Sequence, residues 1–119
     1  GAFAVERGKG DKKALINAEN TLKHGDILGI FIEGTRSRTG DFLKPKSGAA
    51  LLACKTGTQV VPVCITGGGK DNKVKAFKKT VISYAEPVCP PRISAGDDIG
   101  VGMLRKTSNN IMDKIKGMR

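Results

Sequence analysis

The stretch ILGIFIEGTRS, residues 27–37, joins a continuous apolar run to a polar segment rich in hydrogen-bond donors. An apolar run without polar alternation predicts a strand that is covered on both faces, over residues 27–32. In open α/β sheets, ligands bind beyond the carboxyl ends of the strands. The segment that begins at Glu33 therefore lies where a ligand site is expected.

The sequence on either side of this stretch predicts alternating strands and helices. Further strands are predicted over residues 1–5, 59–65 and 79–84. Helices are predicted between Asp11 and Gly25 and over residues 48–55. A C-terminal helix is predicted from residues that share one of its faces: Leu104, Ser108, Ile111, Ile115 and Met118. This order is an α/β plan with at least some parallel strands. No repeat or internal boundary is present, so residues 1–119 are expected to form a single partial domain.

The charge balance predicts an anionic partner. Lys and Arg total 21 against 11 Asp and Glu, which gives a net charge of +10. Nucleic acid, a phosphorylated small molecule and an anionic membrane surface all satisfy this charge. With no Trp, one Tyr and four Phe, the chain is poor in stacking residues, and nucleic acid is not the expected partner. The lysines that best support a lipid or nucleic-acid surface are Lys70, Lys73, Lys75, Lys78 and Lys79.

The Cys and His content argues against metal and dithiol chemistry. The three Cys are widely spaced and there is one His, so the sequence predicts no zinc site, no redox pair and no cofactor. Cys54 and Cys64 have apolar neighbours, which predicts core packing. His24 lies near a predicted helix C-terminus, where a structural role is expected.

The polar segment offers the groups that bind phosphate. Gly34 permits close backbone approach, Thr35 and Ser37 add hydroxyl donors, and Arg36 and Arg38 carry planar forks suited to phosphate oxygens. Each charge-assisted bond is worth about 1.5–3 kcal/mol. The residues alone leave two interpretations: a phosphate-binding loop, or a solvated turn with surface arginines.

The segment Glu-Gly-Thr-Arg-Ser at residues 33–37 also resembles the signature of the glycerolipid acyltransferases, with Ile32 in place of the usual Pro. Three further blocks agree in order and spacing: GAFAVER at residues 1–7, KSGA at 46–49 and VVPVCI at 60–65. Glu6 stands where Asp is commoner in the family. The resemblance is strongest to the bacterial 1-acylglycerol-3-phosphate acyltransferases.

This resemblance implies a fold and an activity. The fold would be an α/β domain with a glycerol-3-phosphate acyltransferase-like mixed sheet flanked by helices, truncated at the N-terminus. The reaction would move an acyl group from acyl-CoA or acyl-(acyl carrier protein) to 1-acylglycerol 3-phosphate (lysophosphatidate), giving phosphatidic acid in phospholipid synthesis. The expected location is the cytoplasmic face of the membrane, peripheral or anchored by a segment outside this chain.

The resemblance also implies roles for individual residues. Substrate-binding positions would be Glu33, Gly34, Thr35 and Arg36, with Arg36 holding the glycerol phosphate and Arg7 and Lys46 as further cationic contacts. Pro62 would shape the strand that lines the acyl or donor pocket. The residues leave open a salt bridge for Arg7 and a plain surface role for Lys46.

The family's catalytic block, His-x-x-x-x-Asp, is absent from these residues. Gly29, not Asp, lies five positions after His24. In the family this block precedes the block matched by residues 1–7, so we expect it before Gly1 in the parent protein. The chain alone is therefore expected to be inactive, and its unpaired strands predict self-association. Two alternatives stay open: a non-catalytic module that binds phosphate, anionic lipid or nucleic acid, and an acyltransferase for another lysophospholipid.

Overall fold

The computed structural model of the chain describes residues 11–35, 37–67, 74–94 and 96–119. Within these ranges the elements are three helices and two strands, in the order α1 (Lys12–Lys23), α2 (Gly48–Thr56), β1 (Val63–Gly67), β2 (Thr80–Tyr84) and α3 (Val101–Gly117). The α/β class is therefore confirmed. The strand predicted over residues 1–5 and the predicted site residues Arg7 and Arg36 lie outside the described residues.

Local signals set both ends of α1 and the C-terminal end of α2. The Asp11 side chain caps α1 by accepting a hydrogen bond of 3.1 Å from the Ala14 amide. At the other end, the ring nitrogen Nδ1 of His24 lies 2.7 Å from the carbonyl oxygen of Asn20, a contact that fits the expected structural role of this residue. Gly25 and Gly57 follow α1 and α2 in the left-handed region, at φ +86° and +68°, where glycine carries no steric penalty.

The sheet differs from its prediction. The strands β1 and β2 pair antiparallel from Val63 opposite Tyr84 to Gly67 opposite Thr80, and a bridge between Val60 and Val88 extends the pairing. The expected parallel strands and mixed sheet are therefore not found in the described residues. Parallel pairing needs a crossover, usually a helix, between its strands. The sequence between β1 and β2 begins with two glycines and lacks a helical apolar pattern, so these strands pair as neighbours.

The apolar run at residues 27–32 was wrongly predicted to be a covered strand. The structure places it outside any strand, with Ile27 exposed to 96% and Phe31 to 82%. A strand requires a neighbour for its backbone and a layer over each face. No described strand lies beside this run. Within the described residues, its one long-range backbone hydrogen bond is donated by the Lys46 amide to the Ile32 carbonyl, at 2.7 Å.

The core lies where α2 meets α1 on one side and α3 on the other, with α3 also reaching β1. Cys54 and Cys64 are buried, which confirms their predicted packing role. Pro62 is also fully buried, just before β1. The remaining core side chains are alanines and one leucine on α1 and α2, one valine after β2, and two larger side chains on α3: Ala14, Ala18, Ala49, Ala50, Leu52, Ala53, Val88, Ile111 and Met112.

One face of the sheet carries exposed apolar side chains. The register places Val63 opposite Tyr84 and Ile65 opposite Ile82, and all four are exposed. Among the described residues nothing covers this face. Of the helices in the described ranges, none combines the length and the apolar character that a membrane crossing requires.

Candidate functional site

The predicted site begins with a tight turn at the end of the apolar run. The amide of Gly34 donates a hydrogen bond of 2.9 Å to the carbonyl of Phe31. Gly34 reaches this geometry at φ +69°, a left-handed conformation that a residue with a Cβ atom rarely adopts. Thr35 follows with its side chain exposed to solvent.

Glu33 holds the next loop closed. Its carboxylate oxygen Oε2 accepts a hydrogen bond of 3.2 Å from the amide of Leu43, across the segment between them. A carboxylate that accepts backbone amides stabilises a loop through a charge-assisted bond. The structure thus gives Glu33 a loop-closing contact, and its contact with a substrate stays a prediction.

Lys46 returns the chain to the turn. Its amide bonds to the carbonyl of Ile32, and its stem lies so close to Gly34 that a Cβ atom there would be 3.3 Å from the Lys46 Cγ atom. The residue is exposed overall, which leaves its ammonium group available to solvent. The structure therefore brings two of the predicted site residues, Gly34 and Lys46, into one neighbourhood.

The loop between Glu33 and Lys46 is held by its own hydroxyls and by Arg119, which follows α3 in the chain. The amide of Gly40 donates to Ser37 Oγ at 3.0 Å, and Arg119 Nη2 donates to the Gly40 carbonyl at 2.6 Å. The same guanidinium lies 4.6 Å from the centre of the Phe42 ring, a cation–π arrangement. Arg38, the other arginine of the predicted phosphate loop, is exposed.

A cavity of about 320 Å³ lies between the Lys46 segment and α3. Its polar lining consists of Lys46, Ser47, Arg105, Ser108 and Asn109, and its apolar lining of Pro45, Val101 and Leu104. Of the residues that line this cavity, Lys46 alone was predicted from the sequence to bind a ligand. The available signal was the spacing of Arg105, Ser108 and Asn109, which places them side by side on a helix.

The described residues hold no proton-transfer pair of the His-x-x-x-x-Asp kind, since His24 serves the end of α1. In these ranges no group of three or more His, Cys, Asp or Glu side chains is placed to hold a metal ion. Burial raises the pKa of the Cys54 thiol, partly opposed by a hydrogen bond with Thr107, and it raises the pKa of Cys64, partly opposed by Arg119. Both thiols are therefore poor nucleophiles at neutral pH.

The chain is similar to known acyltransferases. The family model described as Acyltransferase matches residues 1–66, which contain all four sequence blocks. A 1-acyl-sn-glycerol-3-phosphate acyltransferase of Borreliella burgdorferi is 42% identical over 52 residues, covering 44% of this chain and 21% of that protein. A chloroplastic 1-acyl-sn-glycerol-3-phosphate acyltransferase of Arabidopsis thaliana is 47% identical over 49 residues, covering 41% of this chain and 14% of that protein.

The chain matches only about a fifth or less of the length of these relatives. No solved structure matches it. The family model nevertheless covers more than half of the 119 residues, including Arg7, the Glu-Gly-Thr-Arg turn and Lys46. The chain therefore belongs to the Acyltransferase family.

Proposed function

We propose that this chain is the acceptor-binding part of an enzyme that acylates 1-acylglycerol 3-phosphate to phosphatidic acid in phospholipid synthesis. The donor is acyl-CoA or acyl-(acyl carrier protein). The family membership and the names of the relatives support this reaction. The observation that carries the proposal is the packing of the Lys46 stem against Gly34, because it brings a lysine next to the turn at Gly34.

In this proposal each predicted residue has a distinct task. Arg36 binds the phosphate of the acceptor through its planar fork, and Arg7 and Lys46 add further positive charge. Glu33 keeps the loop closed through the Leu43 amide, and Thr35 offers an exposed hydroxyl donor. Gly34 lets the turn form without a Cβ atom in the path of Lys46.

The acyl transfer itself requires a general base. The acceptor hydroxyl oxygen attacks the thioester carbonyl carbon, the carbon–sulfur bond breaks, and the hydroxyl proton passes through the base to the departing thiolate. These 119 residues contain no His-x-x-x-x-Asp block. We therefore expect the chain alone to form no phosphatidic acid from acyl-CoA and lysophosphatidate, measured by mass spectrometry. Turnover that is lost in His24→Ala would contradict this expectation.

The acceptor site is tested by binding, which needs no general base. In a calorimetric titration of the chain with glycerol 3-phosphate, Arg36→Ala should weaken the affinity about tenfold or more, as expected for the loss of charge-assisted bonds. Lys78→Ala is the matched control, because it removes one positive charge from an exposed position remote in sequence from the turn. Equal effects of the two substitutions would remove Arg36 from its role.

A membrane-facing location is part of the proposal. Phe77 is fully exposed at φ +61°, in a turn where the Lys78 amide donates to the Lys75 carbonyl at 3.3 Å. Val74 on the same segment is also exposed. An apolar tip flanked by Lys75, Lys78 and Lys79 suits the interface of an anionic bilayer, where each Lys contributes about 1 kcal/mol. We place this surface at the cytoplasmic face of the membrane.

Two further parts of the proposal concern specificity and assembly. Another lysophospholipid acceptor shares the glycerol phosphate, so competition between lysophosphatidate and lysophosphatidylcholine in the titration separates the two acceptors.

The exposed sheet face formed by Val63, Ile65, Ile82 and Tyr84 supports self-association of the chain. If sedimentation velocity shows only monomer across a hundredfold range of protein concentration, the proposed self-association is wrong.

A further inference from the structure

We propose that α3 provides a second phosphate contact, in which Arg105 and Lys46 grip one phosphate group from opposite walls of the 320 Å³ cavity. This inference takes its ligands from the proposed function, but α3 lies outside the residues that the family model matches. The phosphate belongs to the glycerol phosphate acceptor or to the coenzyme A of the donor. Both offer the same dianionic oxygens to a pair of cations.

Size and composition make this cavity suitable for a phosphorylated group. A volume of about 320 Å³ lies at the lower end of the range for small-molecule sites, which is about 300–1,000 Å³. Its lining contains two cations and no carboxylate, together with the hydroxyl of Ser47 and the amide of Asn109 as further donors. A concavity with convergent donors and a single sign of charge selects for anions.

The two cations have no competing partner among the described residues. The ion pairs of the described chain join Glu19 to Lys23 and Lys55, and neither Lys46 nor Arg105 takes part in one. An incoming phosphate therefore displaces no salt bridge among the described residues.

The position of Arg105 is set by the rigid part of the fold. Ile111 and Met112 bury α3 in the core, and Ser108, exposed to only 2%, directs its hydroxyl to the Lys46 carbonyl at 3.4 Å. Arg105 lies three residues before Ser108 on the same side of the helix. The cavity also adjoins the start of α2, where the Ser47 side chain makes no capping hydrogen bond and the partial positive charge of the helix adds to that of the cations.

The test is a pair of calorimetric titrations of the 119-residue chain, one with glycerol 3-phosphate and one with coenzyme A. Arg105→Ala should weaken binding of one of these ligands about tenfold or more, and Arg105→Lys should restore part of the loss. Lys116→Ala is the matched control, since it removes a cation from the exposed last turn of the same helix, away from the cavity. The ligand that responds identifies the source of the phosphate.

Three outcomes are decisive. If Arg105→Ala and Lys116→Ala have equal effects on both ligands while Lys46→Ala weakens glycerol 3-phosphate, the inference fails and the proposed acceptor site stands. If the unsubstituted chain binds neither ligand, both are overturned. Circular dichroism and thermal unfolding should show that Arg105→Ala is folded like the parent, because Arg105 is exposed. If the folded Arg105→Ala variant loses affinity for one ligand and Lys116→Ala does not, the inference is supported.

Discussion

Gly34 matters both for its left-handed backbone conformation and for its contact with the Lys46 side chain. We predict that Gly34→Ala lowers the free energy of unfolding by about 1–2 kcal/mol, because the new Cβ atom meets both an unfavourable φ and the Lys46 stem at 3.3 Å. It should also weaken glycerol 3-phosphate binding, since Lys46 must move. Urea unfolding and calorimetry measure the two effects.

Gly25 supplies the control for that substitution. It has φ +86°, but a Cβ atom there would have no neighbour within 4 Å. Gly25→Ala therefore carries the conformational cost alone and should leave ligand binding unchanged. If both alanine variants lose affinity equally, the contact between Gly34 and Lys46 has no part in the site.

The helices α1 and α2 are joined by one carboxylate with two cations. Glu19 lies 2.7 Å from Lys23 on its own helix and 3.1 Å from Lys55 on α2. Hydrogen bonds to these two ammonium groups lower the pKa of Glu19 from its ordinary value of 4.5. Since exposed pairs of this kind are worth about 0.2–1 kcal/mol each, the link aligns the helices more than it stabilises them.

We predict that this link has a distinct pH dependence. Because the folded-state pKa of Glu19 is lowered, its stabilising effect is fully present above the unfolded-state value and is lost as the pH falls through the folded-state value. Glu19→Gln should therefore be less stable than the parent at pH 7 by about 0.5–1 kcal/mol and equal to it near pH 2. Urea unfolding between pH 2 and pH 7 measures this difference, and a gap that persists at the acid end would refute the assignment.

At the scale of the whole molecule, charge and exposed apolar surface meet around Phe77. We predict that Phe77→Ser lowers binding to phosphatidylserine-containing vesicles about tenfold, because insertion of a Phe side chain is worth about 1.5–3 kcal/mol. Binding should also fall with added salt and on vesicles of phosphatidylcholine alone. Co-sedimentation with vesicles measures each effect.

The control removes an exposed apolar side chain elsewhere on the molecule. Ile16 on α1 is more than half exposed and lies apart in sequence from the lysines around Phe77. Ile16→Ser should keep its vesicle binding. Identical losses of vesicle binding in the two variants would show non-specific hydrophobic binding and reject the membrane surface. Tighter binding to DNA in a gel-shift assay than to vesicles would indicate a nucleic-acid partner instead.

Several features of the site could be predicted from residues close together in the chain. The turn glycine, the donors of residues 33–38 and the later lysine are visible in the sequence, and the blocks that contain them resemble the acyltransferase family whose model matches residues 1–66. Arg105 was missed because its spacing from Ser108 and Asn109 shows that the three residues share one side of a helix, but not that the Lys46 segment lies against that side. Phe77 was missed because a single aromatic residue among lysines carries no periodicity.

The sequence by itself determined both ends of α1, the C-terminal end of α2 and the family. Asp11, Gly25 and Gly57 act on backbone groups a few residues away, and the four sequence blocks that resemble the family lie within residues 1–66. Only the tertiary structure decided that residues 27–32 are exposed, that β1 and β2 run antiparallel, and that Arg105 shares a cavity with Lys46. The physical reason is that caps and turns depend on chain neighbours, whereas strand pairing, burial and converging charges depend on partners that are distant in the chain.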